Sequence, residues 1–184
     1  MLSLARSAMP APPPDELEVP RYSSGCVLSL DEIESATLRH VACYWSGLRG
    51  GRRFPSRQEF EPKNLKGLLR HVTLVKVINS GADYEFRVMG DVQVQAYGSN
   101  FAGMRLSQVA VRHEKFAEGL RVFYEGVRMG REAFGYRGWI GRDMPDTKYS
   151  YHECAFFPLG TDGEVVDHIL VAGVYVPRGS GRPG

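Results

Sequence analysis

At Val72 the apolar pattern of this chain changes period, and that change limits the folds open to it. Upstream, apolar residues recur at three- and four-residue steps, the spacing of amphipathic helices. From Val72 onward, VTLVKVI (72–78) and YEFRVMG (84–90) are short β-rich runs around the turn sequence NSGAD, which predicts a hairpin. Three more β runs close the chain: EAFGYRGWIG (132–141), KYSYHECAFFPLG (148–160) and EVVDHILVAGVYV (164–176), the last two joined by TDG, a compact hairpin turn. Between hairpin and closing runs lie short helical turns over 91–110, broken at Gly98 and Gly103. A longer helix over 113–130 follows, with Phe116, Leu120, Phe123, Tyr124 and Val127 on one face. This order predicts an α+β fold: a five-stranded antiparallel sheet with helices gathered on one face.

Ahead of the sheet, Ser29 and Glu32 form a capping box that predicts a helix from Leu30. Leu30, Ile33, Thr37, Val41, Tyr44, Trp45 and Leu48 build its apolar stripe, Gly50 or Gly51 ends it, and Pro55 prevents its resumption. Pro62 opens a short second helix with Leu65, Leu68 and Leu69 on its apolar side.

The chain has 184 residues, enough for one domain with a proper core. Residues 1–27 read as a disordered Pro-rich leader, 28–71 as an N-terminal helical extension, 72–177 as the main domain and 178–184 as a flexible tail. The formal charge of +2 is too small to argue for nucleic acid by itself, and no apolar run approaches the roughly 20 residues of a membrane span. The three cysteines, Cys26, Cys43 and Cys154, have no CxxC spacing; a reducing, cytoplasmic setting fits them.

The order of elements is that of a PAS domain, and several stretches carry the likeness. VMGDVQVQAYGSNFAGMRLSQV (88–109) resembles the helical segment after the second PAS strand, and FFPLGTDGEVVDHILVAGVYV (156–176) resembles the last PAS hairpin. YWSGLRGGRRFPSRQEFEP, followed by LLRHVTLVKV and YEFRVMG, resembles a bacterial family of small stand-alone PAS proteins, formerly a domain of unknown function. The resemblance covers about residues 30–176. It implies a PAS-like sheet, a sensory or regulatory role in bacterial signal transduction through a small molecule or a signalling protein partner, and no catalysis of its own. Gly90-Asp91 and NFAG (100–103) depart from the usual PAS pattern, at positions that bear on ligand choice.

Placed on that fold, Tyr97, Phe101, Phe123, Trp139, Tyr151 and His152 fall on elements around a PAS pocket. Arg87, the one basic residue of the second sheet run, is the group expected to hold a small aromatic or carboxylate ligand. The other reading puts Arg87 on the outer sheet face, beside Glu85. Ile33, Val41, Trp45, Arg49, Arg52, Arg53 and Arg57 form the expected interaction surface, with a homodimer as the favoured partner. The same arginines are the basis of an alternative, a nucleotide or nucleic-acid site, although helix-end charge accounts for them as well. His152 and Cys154 are spaced as two metal ligands or as a base and nucleophile would be. Both chemistries need more groups than the sequence places nearby, and no cofactor is singled out.

Overall fold

The computed structural model describes residues 25–139 and 149–177, with backbone only for Trp139, Tyr149, Ser150 and Pro177. The expected tail and most of the expected leader lie outside the described residues. Within them one antiparallel sheet holds β1 (Cys26–Leu28), β2 (Val72–Ile78), β3 (Asp83–Met89), β4 (Phe134–Trp139), β5 (Tyr149–Leu159) and β6 (His168–Pro177). The spatial order is β1-β4-β5-β6-β2-β3. The helices are α1 (Ala36–Arg49), α2 (Asp91–Tyr97), α3 (Leu106–Ala110) and α4 (Glu114–Gly130). The last strand pairs with the first of the early hairpin, so the α2 to α4 segment crosses the sheet from β3 at one edge to β4. This is the PAS-like α+β arrangement.

The expected count of five strands is corrected to six. The sixth is β1, which pairs with β4 through Cys26 and Arg137, Val27 and Tyr136, and Leu28 and Gly135. It starts two residues inside the stretch read as leader. Three residues with only Leu28 buried carry too little alternation to be read as a strand.

Strand β5 divides the molecule. Tyr151, Glu153, Ala155, Phe157 and Leu159 point to the outer face, where Trp45 of α1 packs 5.6 Å from Phe157. His152, Cys154 and Phe156 point to the inner face, where Phe123 of α4 stacks 5.0 Å from Phe156. With a helix layer on each side, the strand is apolar on both faces.

The helix expected from Leu30 is also corrected. The Ser29 amide donates to Glu32 Oε2 at 2.8 Å, but the capping box closes only a single 3-10 turn, Leu30–Glu32. The backbone is extended at Ile33 and re-enters a helix at Ala36, where Ser35 Oγ accepts from the Leu38 amide at 3.1 Å. Buried Glu153 of the sheet explains the break, because its carboxylate accepts from the amides of Glu34 and Ser35 at 3.0 and 2.8 Å. That tertiary pairing fixes where α1 begins.

Helix α1 lies across β5 and β6 with Leu38, Val41, Ala42 and Trp45 buried. Burying side chains the size of Leu38 and Val41 contributes roughly 1.5–3 kcal/mol each. Trp45 Nε1 donates to the Pro158 carbonyl at 2.9 Å. After Gly50, Phe54 inserts fully buried beside Gly160, whose amide donates to the Pro55 carbonyl at 3.0 Å.

The turn between β5 and β6 is longer than the expected TDG hairpin. Asp162 Oδ1 accepts from the Glu164 and Val165 amides, both at 2.9 Å, and the Asp167 amide reaches the Leu159 carbonyl at 3.0 Å. This local capping keeps 164–167 out of the ladder, so β6 starts at His168.

Candidate functional site

Alternation places Tyr136 of β4, His152 and Cys154 of β5, and Gly173 and Tyr175 of β6 on the inner face, while α2 and α4 bring Tyr97, Phe116 and Phe123 over them. Their rings form a continuous arc. Phe116 lies 4.8 Å from Tyr97, Tyr97 5.8 Å from Tyr175, and Tyr175 5.8 Å from His152 in a near-parallel stack. His152 then lies 5.5 Å from Tyr136, and Tyr136 4.7 Å from Phe123. Phe116 and Phe123 sit two turns apart on one face of α4, with Leu120 between them, so the helix closes the arc into a loop. Cys154 is flanked in register by Tyr136 and Gly173, and its Sγ is 3.9 Å from the Tyr175 hydroxyl.

All six rings of this loop keep accessible surface. The layer beneath them is closed, with Phe156 and Tyr124 each 2% exposed, as is the α1 side, where Phe54 and Phe157 are 0% exposed and Trp45 3%.

Two glycines shape the arc. A Cβ on Gly173 would stand 2.8 Å from the Tyr175 hydroxyl, and one on Gly138 would stand 2.7 Å from the Tyr136 hydroxyl. Each tyrosine lies along its own strand over the glycine two residues away.

The polar atoms of the arc are uncharged near neutral pH. Burial lowers the His152 imidazole to about 4, and burial raises the Cys154 thiol to about 12. Burial also raises Tyr97 and Tyr175, whose hydroxyls share a hydrogen bond of 2.9 Å. His152 Nδ1 is buried and has no hydrogen-bond partner among the described residues. An unsatisfied buried nitrogen of this kind costs about 1–3 kcal/mol. A protonated thiol beside a neutral imidazole is the reverse of the thiolate and imidazolium that a cysteine nucleophile uses, and it is a poor starting point for a metal thiolate. His40 and Cys43 ride on α1, across the sheet from this pair, and His71 Nδ1 lies 3.2 Å from the Gly173 carbonyl.

Of the expected site residues, Tyr97, Phe123 and His152 meet in the arc, and Phe101 joins its rim 6.1 Å from Phe116. Arg87 does not. Its side chain is 53% exposed on the edge strand β3 and pairs with Glu85, so the expectation that it holds a ligand is corrected. Tyr151 is corrected as well: strand alternation turns it to the outer face, where it is buried with Glu153. The Trp139 side chain lies outside the described residues.

The apolar part of the expected interaction surface is internal: Ile33, just ahead of α1, and Val41 and Trp45 on it are 2%, 0% and 3% exposed, because this stripe is buried against its own sheet and is not free to meet a second copy. Arg52 pairs with both carboxylate oxygens of Glu59 at 2.7 and 2.9 Å and donates to the Leu48 and Arg49 carbonyls, which caps α1. The Arg49 guanidinium lies 5.4 Å from the Trp45 ring and that of Arg57 5.6 Å from Phe60. Arg53 is exposed. The motif is the clasp that follows α1, and these contacts give no support to a phosphate site.

Sequence reasoning missed Tyr136, Tyr175 and the place of Cys154 in the arc. One signal was readable: in GYRG (135–138) and GVY (173–175) a tyrosine stands two residues from a glycine on the same strand face, where its ring can lie flat.

The fold and this inner face describe a domain in which helices span one face of an antiparallel sheet. A family model described as a PAS domain matches residues 33–125, half of the chain, and the protein belongs to that family. The match begins at Ile33 and ends in α4, so it takes in α1 and the arginine clasp together with the first hairpin. No curated protein and no solved structure matches the chain. No helix among the described residues is long and apolar enough to cross a membrane.

Proposed function

We propose that this PAS domain is a sensory module that binds a small molecule between α4 and the inner sheet face and passes occupancy to a signalling protein partner. One observation carries the reading: six rings close into a loop on the inner face, and each keeps some accessible surface. Aromatic enclosure with few polar groups is the usual make-up of a small-molecule site.

The sheet offers a short route for the signal. Glu153 lies between His152 and Cys154, and Arg137 between Tyr136 and Gly138, so the residues that hold α1 alternate with those that line the arc. A ligand that favours one arrangement of Tyr136 and His152 over another shifts the population of α1 positions by its difference in affinity for the two. The free thiols of Cys26 and Cys43 are exposed, which suits a reducing compartment, and we assign the protein to the cytoplasm.

Native mass spectrometry of the purified protein, followed by denaturing extraction and identification of released compounds, tests the reading. A stoichiometric small molecule, lost when Leu120 or Cys154 is enlarged to Phe, is the expected result. Absence of any such compound, together with no binding from a broad metabolite library, would overturn it.

A further inference from the structure

An exposed apolar strip runs between α4 and the β1 edge of the sheet. Val27 of β1 is the register partner of Tyr136, so the two share the inner face, and Val27 is 67% exposed. On α4, Val122, Gly126 and Met129 recur at four- and three-residue steps and share one side of the helix. That side looks toward β4, since a Cβ on Gly126 would stand 3.6 Å from the Phe134 ring. Val122 and Met129 are 70% and 68% exposed, and Phe134 and Tyr136, both half-buried, make an aromatic floor between helix and edge strand. The chain enters at this corner. Gly25 packs against Tyr136 and Gly138: a Cβ on Gly25 would collide with the Tyr136 hydroxyl, and one on Gly138 would stand 2.8 Å from the Gly25 Cα. Residues 1–24 lead into that point, and the last apolar stretch among them, LEVPRY (17–22), is joined to Gly25 by Ser23 and Ser24.

We propose that residues 17–22 of this chain dock in the groove between β1 and α4 and cover Val27, Val122 and Met129. The reach is sufficient: at ~3.3 Å per extended residue, positions 22 to 17 extend up to ~10 to ~26 Å from Gly25, whereas α4 from Val122 to Met129 is ~10 Å long. The composition is suited as well, because a proline-containing segment is extended before it binds and aromatic-lined grooves take such segments at a small ordering cost. The tether at Gly25 holds the segment beside the groove at an effective concentration on the order of millimolar, so a weak contact keeps the groove filled. A second copy of the chain would reach the same face without that advantage. The docked segment covers apolar surface that a partner protein would otherwise meet.

Amide and methyl chemical shifts of the full chain test this. Val19→Asp should move the signals of residues 27, 122–129 and 134–136, and Val122→Glu should move those of 17–22 to random-coil positions. Val122 is exposed, so its substitution leaves the fold intact, which unchanged β5 and β6 signals verify. Dilution of the wild type by about tenfold should change neither set, since the contact lies within one chain. Unmoved α4 and β4 signals in Val19→Asp overturn the proposal, as do residues 17–22 already at random-coil positions in the wild type. Signals of the groove that move on dilution overturn it too, and assign the face to a second copy.

Discussion

Arg137 of β4 and Glu153 of β5 are register partners, and their side chains meet at 2.6 Å on the outer sheet face, with Glu153 fully buried. The carboxylate also accepts the Glu34 and Ser35 amides, and Arg137 reaches on to the Glu32 carbonyl at 3.0 Å and the Glu34 carboxylate at 2.9 Å. One ion pair therefore holds the sheet, β1's outgoing chain and the first turn of α1 together.

Glu153→Ala should lower the unfolding free energy by about 3–5 kcal/mol, since it leaves the Glu34 and Ser35 amides without their acceptor and takes from the largely buried Arg137 its buried partner. Arg137→Ala should cost less, because Glu153 keeps the Glu34 and Ser35 amides. Urea denaturation measures both, and a loss under about 1 kcal/mol for Glu153→Ala would remove the latch from the account.

The motif after α1 should divide into residues that stabilise strongly and weakly. Trp45→Ala removes a buried ring and its bond to the Pro158 carbonyl, and is expected to cost about 3–5 kcal/mol. Arg52→Ala breaks an exposed pair and is expected to cost far less than Trp45→Ala, with its difference from the wild type shrinking further in high salt, which screens the pair. Thermal and chemical unfolding of the two variants gives the contrast directly.

Gly173→Ala should destabilise by about 1–3 kcal/mol, because the new methyl meets the Tyr175 ring at 2.8 to 3.1 Å. In the background of Tyr175→Leu the same substitution should cost much less. A double-mutant cycle reads this coupling, and additive losses would show that Tyr175 does not lie over the glycine.

His152 predicts a pH dependence. Burial holds its imidazole at about 4 against an ordinary value near 6.5, so the unfolded chain binds a proton between those values and the folded chain does not. Stability is thus complete above about 6.5 and falls as pH drops toward 4, by at most about 3 kcal/mol from this group. Unfolding curves at pH 7.5, 6 and 5 for wild type and His152→Phe should converge or cross in relative stability as pH falls. Identical pH slopes in both proteins would contradict a buried neutral imidazole.

The hairpin at β2 and β3, the long helix α4 and the closing strands were legible because each repeats one period over enough residues, and the PAS resemblance followed from their order. Strand β1 and the break at Ile33 were not. The first is too short to show alternation, and the second depends on Glu153, more than a hundred residues away in the chain. The inner arc was half legible in the same sense. Tyr97, Phe123 and His152 stand out in the sequence as aromatic or titratable residues on elements that form it, whereas the charge of Arg87 says nothing of its face.

The amino-acid pattern alone determined the longer helix and strand segments, that α1 carries an apolar stripe, and that charge is sparse along β4 to β6, since these follow from local periodicity and composition. Tertiary structure decided which face each strand residue takes and where the α1 stripe is buried. It also decided which rings close into a loop. A strand covered on both sides carries apolar residues on both faces, so its alternation marks no face until helices from distant parts of the chain pack against it.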